Sequence, residues 1–121
     1  MASVGTPVAG TTVAITSVTD PINAENADSV SVSGTGEVGA SISLVASDGT
    51  NSTDPLTTTV GEDGTWSITG IDVSALADGT ITFTATATDD ATNTATDTAT
   101  AAKDTVAPAV AITDGTLEIN A

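Results

Sequence analysis

The sequence predicts an all-β fold, a two-sheet antiparallel β-sandwich of about seven short strands. Apolar and polar residues alternate with period two through most of the chain, helical spacing is nowhere sustained, and turn residues separate the alternating runs. Leu, Ile, Val and Phe make up only about a fifth of the residues, which is close to the composition of disordered chains. Threonine, however, is the commonest residue and only 14% of residues are charged, which favours strands over solvated coil. We therefore expect a folded domain with a thin core.

The alternating runs predict strands in chain order, each with one buried face and one hydroxyl face. A strand is predicted around Ile15, two more around 29–33 and 41–44, another around 66–69, the longest at 80–88, and a last one after 93. The longest run carries an unbroken row of threonines, from Thr80 to Thr88, opposite its apolar residues. Turns are predicted at 34–36, 48–49, 54–55, 62–64 and 78–79, where Gly allows positive φ and Asp bonds nearby backbone. The predicted core residues are Ile15, Val18, Val30, Val32, Ile42, Leu44, Trp66, Ile68, Val73, Leu76, Ile81, Phe83, Ala85 and Ala87.

Two side chains on the predicted apolar faces differ from their neighbours. Trp66 is expected to be a core residue rather than a platform for a ligand, because a large aromatic ring contributes strongly to a core of small side chains. Asp97 falls on the apolar parity of the last strand, between Ala95 and Ala99. We therefore expect either a bulge that shifts the register there or a strand that starts after Asp97.

The two ends of the chain repeat each other. Val13-Ala14-Ile15-Thr16 recurs as Val110-Ala111-Ile112-Thr113, and Ile22-Asn23-Ala24 recurs as Ile119-Asn120-Ala121, at a constant offset of about 97 residues. This pattern predicts one repeat of a tandem array and the opening of the next. The expected organisation is a lead-in at 1–12, the sandwich at 13–103, a linker at 104–108 and the start of the next repeat at 109–121. Without the rest of its sheet, that last segment is expected to be extended and poorly anchored.

The composition excludes several classes of function. The chain has 16 acidic residues, one lysine and a formal net charge of −15, and it has no Cys, His or Tyr. Zinc-thiolate sites, disulfides and Ser-His or Cys-His nucleophiles need residues that are missing, and a glycosidase-like carboxylate pair would lack a cleft and aromatic rings. One basic residue cannot neutralise nucleic-acid phosphates, and no apolar run approaches the roughly 18 residues of a membrane helix. No enzyme, nucleic-acid partner or membrane insertion is expected, and cations are the natural counterions.

Four motifs occur in an order that resembles one protein family. They are Asp63-Gly64-Thr65-Trp66-Ser67, Leu76-Ala77-Asp78-Gly79-Thr80, the stretch from Ala85 to Asn93, and Asp104-Thr105-Val106-Ala107-Pro108. Together they look like the bacterial Ig-like tandem repeats, the extender or stalk domains, of large RTX-type and biofilm-associated surface adhesins. The resemblance covers roughly Val13 to Pro108.

The resemblance implies an immunoglobulin-like β-sandwich that is repeated in tandem and acts as a non-enzymatic spacer. Such a module projects a distal ligand-binding domain from the bacterial cell surface for adhesion or biofilm formation. Its implied partners are the neighbouring identical repeats of the same extracellular chain, and the module itself is expected to be monomeric. The family also implies Ca²⁺ at or near the domain junctions, where it stiffens the string of domains.

Physical reasoning also points to calcium, which prefers six to eight oxygen ligands from carboxylates, amides and backbone carbonyls. One group of such residues lies in the loop before the last predicted strand, a second lies in the loop after the first strand, and an aspartate opens the linker. The candidate metal ligands are Asp89, Asp90, Asn93, Asp104, Asn23 and Glu25. The sequence leaves open whether the two loops lie side by side or at opposite poles. In the family's loop a Gly often precedes the Asn, and here that position is Thr92.

Other features have simpler interpretations. Asp48, Asp63 and Asp78 precede glycines and are expected to be turn formers rather than ligands. The row from Thr80 to Thr88 supports an alternative function, direct binding of ice or a carbohydrate. One twisted strand, however, offers a single rank of threonines, and carbohydrate sites normally use exposed aromatic rings. The sequence therefore favours the spacer function.

Overall fold

The computed structural model describes residues 11–106, and seven β-strands lie within that range. The strands are β1 (Val13–Val18), β2 (Val30–Gly36), β3 (Ser41–Ser47), β4 (Leu56–Thr59), β5 (Thr65–Ile71), β6 (Gly79–Thr88) and β7 (Thr94–Lys103). The segment Ala109–Ala121, for which an extended and poorly anchored conformation was expected, lies outside the described residues.

The strands form two antiparallel sheets, with the strand orders β1-β2-β5 and β4-β3-β6-β7. This arrangement confirms the predicted all-β sandwich. The short strand β4 pairs with β3, so it belongs to the same sheet as β6 and β7. Strands β6 and β7 form a long hairpin whose register is unbroken from Thr88↔Thr94 to Gly79↔Lys103. The hairpin therefore holds its turn and its open end far apart.

The alternating pattern located most of the core. All but two of the predicted core residues are buried, and Phe83 and Ile42 are fully enclosed. The two exceptions, Ile15 and Val18, are half-buried because β1 lies at the edge of its sheet. Pattern reading missed several buried residues at strand ends, in loops or among small side chains: Ile22, Ala27, Ala40, Ala46, Val60, Ile71 and Ala101.

Trp66 is a core residue, as predicted, and it is 3% exposed. Its Nε1–H donates to the carbonyl oxygen of Thr35 at 3.0 Å, which satisfies the only polar atom of the ring. Gly34 on β2 pairs with Trp66 across the sheet. A Cβ atom at position 34 would lie 1.9 Å from the carbonyl oxygen of Ala14 and 2.8 Å from Cζ2 of the Trp66 ring. Glycine is therefore required where β1, β2 and this ring meet.

Both expectations for Asp97 are wrong. Strand β7 begins before it, at Thr94, and Asp97 pairs with Ala85 in a register without a bulge. The irregularity lies instead in β1, where the pairing with β2 shifts between Ile15 and Ser17. One oxygen of the half-buried Asp97 carboxylate, Oδ2, accepts the Ile15 N–H at 2.8 Å. The carboxylate therefore joins the edges of the two sheets. This bond explains why an acid occupies a position of β7 whose side chain faces inward.

Candidate functional site

The loops of the sandwich gather at two poles. The N-terminal pole contains the start of β1, the β2–β3 turn at 37–40 and the β6–β7 loop at 89–93. The Glu37 N–H donates there to the carbonyl oxygen of Thr12 at 3.3 Å, and Glu37 lines the same concavity as Asp89 and Asp90. The C-terminal pole contains the loop at 19–29 and residues 104–106. Because β6 and β7 are each ten residues long, they separate the poles by about 30 Å.

The β6–β7 loop at the N-terminal pole is closed by the Asp89 carboxylate. Its Oδ1 accepts the backbone N–H groups of Ala91 and Asn93, both at 2.9 Å, and its Oδ2 accepts the side-chain amide of Asn93 at 3.0 Å. The bond from the Asn93 side chain is the largest cause of a lowered Asp89 pKa, so this carboxylate is charged at neutral pH. Asp89 and Asn93 are thus brought together, and Oδ2 of Asp89 keeps a lone pair for a further ligand, whereas Oδ1 already accepts two bonds.

Two more acids stand beside this loop. Asp90 is exposed, and it lines a concavity together with Asp89 and Glu37. Val38 and Ala91 contribute apolar surface to the same concavity. Sequence reasoning missed Glu37, although its place directly after the predicted turn at 34–36 was a signal that it lies at a domain end.

Thr92, at the position where the sequence resemblance implies Gly, adopts a left-handed backbone conformation with φ of +67°. The loop needs this conformation because the Thr92 N–H donates to the Asp89 carbonyl oxygen at 3.0 Å, while the Asp89 N–H donates to that of Asn93 at 3.0 Å. A β-branched residue is strained in this region, whereas glycine is not. Thr92 therefore occupies a backbone conformation that suits glycine better.

At the C-terminal pole, Asn23 organises the loop that follows β1. Its side-chain oxygen accepts the N–H of Glu25 at 2.9 Å and that of Asn26 at 3.0 Å, and its own N–H donates to the Asn26 side chain at 2.8 Å. The Glu25 side chain is exposed. Asn23 therefore acts first as a turn former, and its oxygen faces the backbone of its own loop.

Asp104 directly follows β7, and it lies beside this loop because its backbone bonds to the loop. The Asp104 N–H donates to the carbonyl oxygen of Ile22 at 2.8 Å, and the Asp104 Oδ1 accepts the N–H of Val106 at 3.1 Å. Asn23, Glu25 and Asp104 line one concavity, together with Pro21, Ile22, Ala24, Thr105 and Val106.

The structure thus separates the six candidate ligands into two groups of three at opposite poles. Asp89, Asp90 and Asn93 lie at the N-terminal pole, whereas the other three lie at the C-terminal pole. Within residues 11–106, no group of three acidic side chains is close enough to hold a metal ion.

The one lysine of the sequence is buried at the C-terminal pole, which sequence reasoning did not anticipate. Lys103 is 4% exposed; its Nζ donates to the carbonyl oxygen of Leu76 and lies 3.6 Å from Oδ1 of Asp78. Asp78 also accepts the N–H and the hydroxyl of Thr105, each at 3.0 Å. The Thr105 N–H is the largest cause of a lowered Asp78 pKa, and the charge of Lys103 contributes. Asp78 therefore ties the chain to the sandwich where it leaves β7.

Asp48 also does more than form a turn. Its Oδ1 accepts the N–H groups of Thr50 at 2.8 Å and Asn51 at 2.7 Å, as a turn aspartate does, but its Oδ2 accepts the N–H of Ala77 at 2.8 Å from a distant loop. These backbone bonds, led by that of Ala77, lower the Asp48 pKa from 3.8 to about 2. Asp63 remains a local turn former that accepts the N–H and the hydroxyl of Thr65.

The threonine row of β6 belongs to a wider hydroxyl face. Thr82, Thr84, Thr86 and Thr88 pair directly with Thr100, Thr98, Thr96 and Thr94 of β7. On the other side of β6, Ser41, Ser43 and Ser47 of β3 continue the face, which Val45 interrupts opposite Thr84, and Thr57 and Thr59 of β4 extend it. The expectation of a single rank of threonines is therefore wrong, because the register aligns hydroxyl side chains on four adjacent strands.

Comparison with known proteins identifies the family. The family model of the bacterial Ig-like domain matches residues 14–105. This chain belongs to that family. The match confirms the resemblance carried by the sequence motifs, and it agrees with the two-sheet architecture of the domain. Comparison with curated proteins found no match.

Three solved structures are similar to this bacterial Ig-like domain. A tetra-tandem repeat in the extending region of a large adhesion protein is 34% identical, with a TM-score of 0.61, over 78% of this chain and 24% of that one. A Ca²⁺-stabilised adhesin that helps an Antarctic bacterium reach out and bind ice is 31% identical, with a TM-score of 0.49, and the match covers 81% of this chain and 25% of that one. A bacterial immunoglobulin-like domain from the M. primoryensis ice-binding adhesin is 30% identical, with a TM-score of 0.44, and the match covers 77% of this chain and 96% of that one. The chain thus spans about a quarter of the length of the first two.

In the part of the chain that the structure describes, no helix is long and apolar enough to cross a membrane.

Proposed function

We propose that this bacterial Ig-like domain is an extender module of a large extracellular adhesin. Its role is to set the distance between a cell surface and a distal ligand-binding domain. The observation that carries the proposal is that β1 begins at the N-terminal pole and the residues after β7 lie at the C-terminal pole, about 30 Å away. Copies joined in series would therefore add nearly the full length of the sandwich for each repeat. The likeness to a tetra-tandem repeat from an extending region supports this role.

The anchoring of the residues that directly follow β7 also favours a stiff spacer. Asp104 bonds to Ile22, and Thr105 bonds to Asp78. These bonds fix the direction in which the chain leaves the domain, whereas a flexible linker would let each repeat reorient freely. A chain of such modules would transmit the orientation of one domain to the next.

Calcium at the junctions would complete this role. In a tandem array the C-terminal pole of one copy faces the N-terminal pole of the next, so Asn23, Glu25 and Asp104 would lie opposite the group of Asp89, Asp90 and Asn93. Neither group alone supplies the six to eight oxygens that calcium prefers, but the two groups with nearby carbonyls can do so. Without a cation the facing carboxylates repel one another. Calcium would thus convert a repulsive junction into a stiff one.

The test is thermal unfolding of the chain and of a two-copy chain, with calcium and with chelator. The two-copy chain joins residues 1–109 to residues 13–121, which keeps the native register of the repeat at the junction. At calcium one hundredfold above the dissociation constant, a junction site adds about 2.7 kcal/mol to the stability of the folded state. We expect calcium to raise the melting temperature of the two-copy chain more than that of the single chain.

The matched variants are Asp104→Asn in the first copy and Asp90→Asn in the second, both of which should reduce the calcium response of the two-copy chain. Asp54→Asn is the control, because it removes the same charge from an exposed position that lines neither concavity. If calcium shifts the melting temperature of neither chain, the acidic loops are solvated turns and the calcium role is wrong.

A second candidate function is direct binding of ice or a carbohydrate by the hydroxyl face. It gains support from the register, which aligns Ser and Thr side chains on four strands rather than one. Thermal hysteresis and glycan-array binding test it, with the paired substitution Thr84→Val and Thr98→Val in the centre of the face. Activity that the paired substitution abolishes would establish this function, and no activity in either assay would refute it.

A further inference from the structure

Two large apolar side chains are strongly exposed among residues 11–106, and they lie at opposite poles. Val38 in the β2–β3 turn is 53% exposed, and Val106 at the C-terminal pole is 72% exposed. Isolated exposed apolar residues are common on protein surfaces. The position of these two is informative, because each lies at the end of the domain that would face a neighbour in a tandem array.

Both valines project from backbone that is held in place. The Val106 N–H donates to Oδ1 of Asp104 at 3.1 Å, and the preceding residue, Thr105, bonds to Asp78. On the other pole, the N–H of Gly39, the residue after Val38, donates to the carbonyl oxygen of Val60 at 3.0 Å. The two side chains therefore have defined positions, and ordering them in a contact costs little conformational entropy.

The chain brings the two positions close together in consecutive copies. The repeat offset makes Val110 the counterpart of Val13, so four peptide units separate Val106 from the first strand of the next copy and span at most about 14 Å. Within a copy, Val13 pairs with Gly36 across the sheet, and Val38 follows two residues later. The Val38 of the next copy is therefore within reach of Val106.

We propose that Val106 of one copy packs against Val38 of the following copy and forms an apolar contact at the centre of the junction. This inference rests on the proposed end-to-end arrangement of repeats, and it names the surface through which they meet. The occupant is a second copy of this repeat, because the linker brings that copy to this pole. Pro21 and Ala24, which line the concavity at the C-terminal pole with Val106, extend the apolar surface of the contact.

Acidic side chains surround both sides of this contact. Glu25 and Asp104 lie beside Val106, and Glu37, Asp89 and Asp90 lie beside Val38. Repulsion between the two rims opposes docking at low ionic strength, and it falls when ions screen it. The contact should therefore form with calcium, and also in concentrated NaCl, which shortens the Debye length to about 3 Å at 1 M.

Calorimetry of the two-copy chain tests the contact with controls in the same molecule. Val106→Ser in the first copy and Val38→Ser in the second copy remove the two partners of the proposed contact. Val38→Ser in the first copy and Val106→Ser in the second are matched controls, because those positions have no neighbouring complete copy. The double substitution at the junction completes a double-mutant cycle.

We expect each junction substitution to lower the melting temperature by roughly 2–4 °C in calcium or in concentrated NaCl, with the control substitutions near zero. The double substitution should lower it no further than the larger single one. Equal effects at the junction and control positions would overturn the contact. If calcium has no effect but the junction positions still differ from the controls in NaCl, the calcium role fails and the contact stands. If calcium stabilises the junction and the positions do not differ, the contact fails and the spacer proposal stands.

Discussion

Gly34→Ala is the substitution for which the structure gives the largest expected effect. The added Cβ would lie 1.9 Å from the carbonyl oxygen of Ala14 and 2.8 Å from the ring of Trp66. Both distances are far below van der Waals contact, and the first involves backbone that cannot rotate away. Either β1 must separate from β2 or the Trp66 ring must leave its position in the core.

The expected loss follows from these contacts. Overpacking a tight site typically costs about 1–3 kcal/mol, and each β1–β2 hydrogen bond that is lost adds about 1 kcal/mol. We expect a loss of at least about 3 kcal/mol, which is a large part of the roughly 5–15 kcal/mol that stabilises a domain. For a domain of this size the melting temperature should fall by more than about 10 °C.

The assay is thermal and urea unfolding, followed by circular dichroism and by the fluorescence of the only tryptophan. Gly61→Ala is the matched control, because its Cβ would meet Oδ1 of the exposed Asp63 side chain at 3.3 Å, and a shift of a few tenths of an ångström relieves this contact. The control should stay within about 0.5 kcal/mol of wild type. If Gly34→Ala melts within a few degrees of wild type, the close approach of β1, β2 and Trp66 is not as described.

Three other substitutions test local features of the fold. Asp48 has a pKa of about 2 in the folded state against 3.8 for an unperturbed aspartate, so its contribution to stability is present above about pH 4 and is lost as the pH falls through 2. Urea unfolding from pH 7 to pH 2 should show Asp48→Asn less stable than wild type at neutral pH, with the difference shrinking below pH 4; a constant difference would contradict this reasoning. Asp97→Ala leaves the Ile15 N–H unpaired and should cost about 1–3 kcal/mol, whereas Asp97→Asn keeps an acceptor oxygen and should cost less; equal losses in urea unfolding would count against the cross-sheet bond. Thr92→Gly removes about 1–2 kcal/mol of left-handed strain and adds about 0.5–1 kcal/mol of chain entropy, so calorimetry should show a net gain of about 0.5–1 kcal/mol, and a lower melting temperature than wild type would refute it.

The sequence predicted the strands and the core because both depend on a local pattern. In a pleated strand, neighbouring side chains point to opposite faces, so the alternation around Phe83 or Ile42 reports burial without knowledge of the partner strand. The motifs that end at Pro108 also predicted the family, which the match over residues 14–105 confirms. The candidate ligand set was predictable only as residue types in loops, because the distance between two loops depends on the topology.

The features that escaped prediction are non-local. Lys103 is the only cation in a chain with 16 acids, and its burial depends on the carbonyl oxygen of Leu76 and on Asp78, which belong to another part of the chain. Asp97 looked like a break in the pattern because its partner, Ile15, lies on the other sheet. The hydroxyl face looked like one rank because the register between strands is set by pairing.

The sequence by itself thus determined that this chain is a thinly cored β-sandwich with oxygen-rich loops, since strand periodicity and turn chemistry act between neighbours in the chain. Only the tertiary structure decided that the loops divide between two poles about 30 Å apart, since this separation is set by the hairpin of β6 and β7, whose strands are ten residues long. It also decided that Val38 and Val106 stand at those poles, where the chain enters and leaves. Burial of apolar side chains drives strands to pair, and the pairing, rather than the composition, places charges and exposed valines at the ends of the domain.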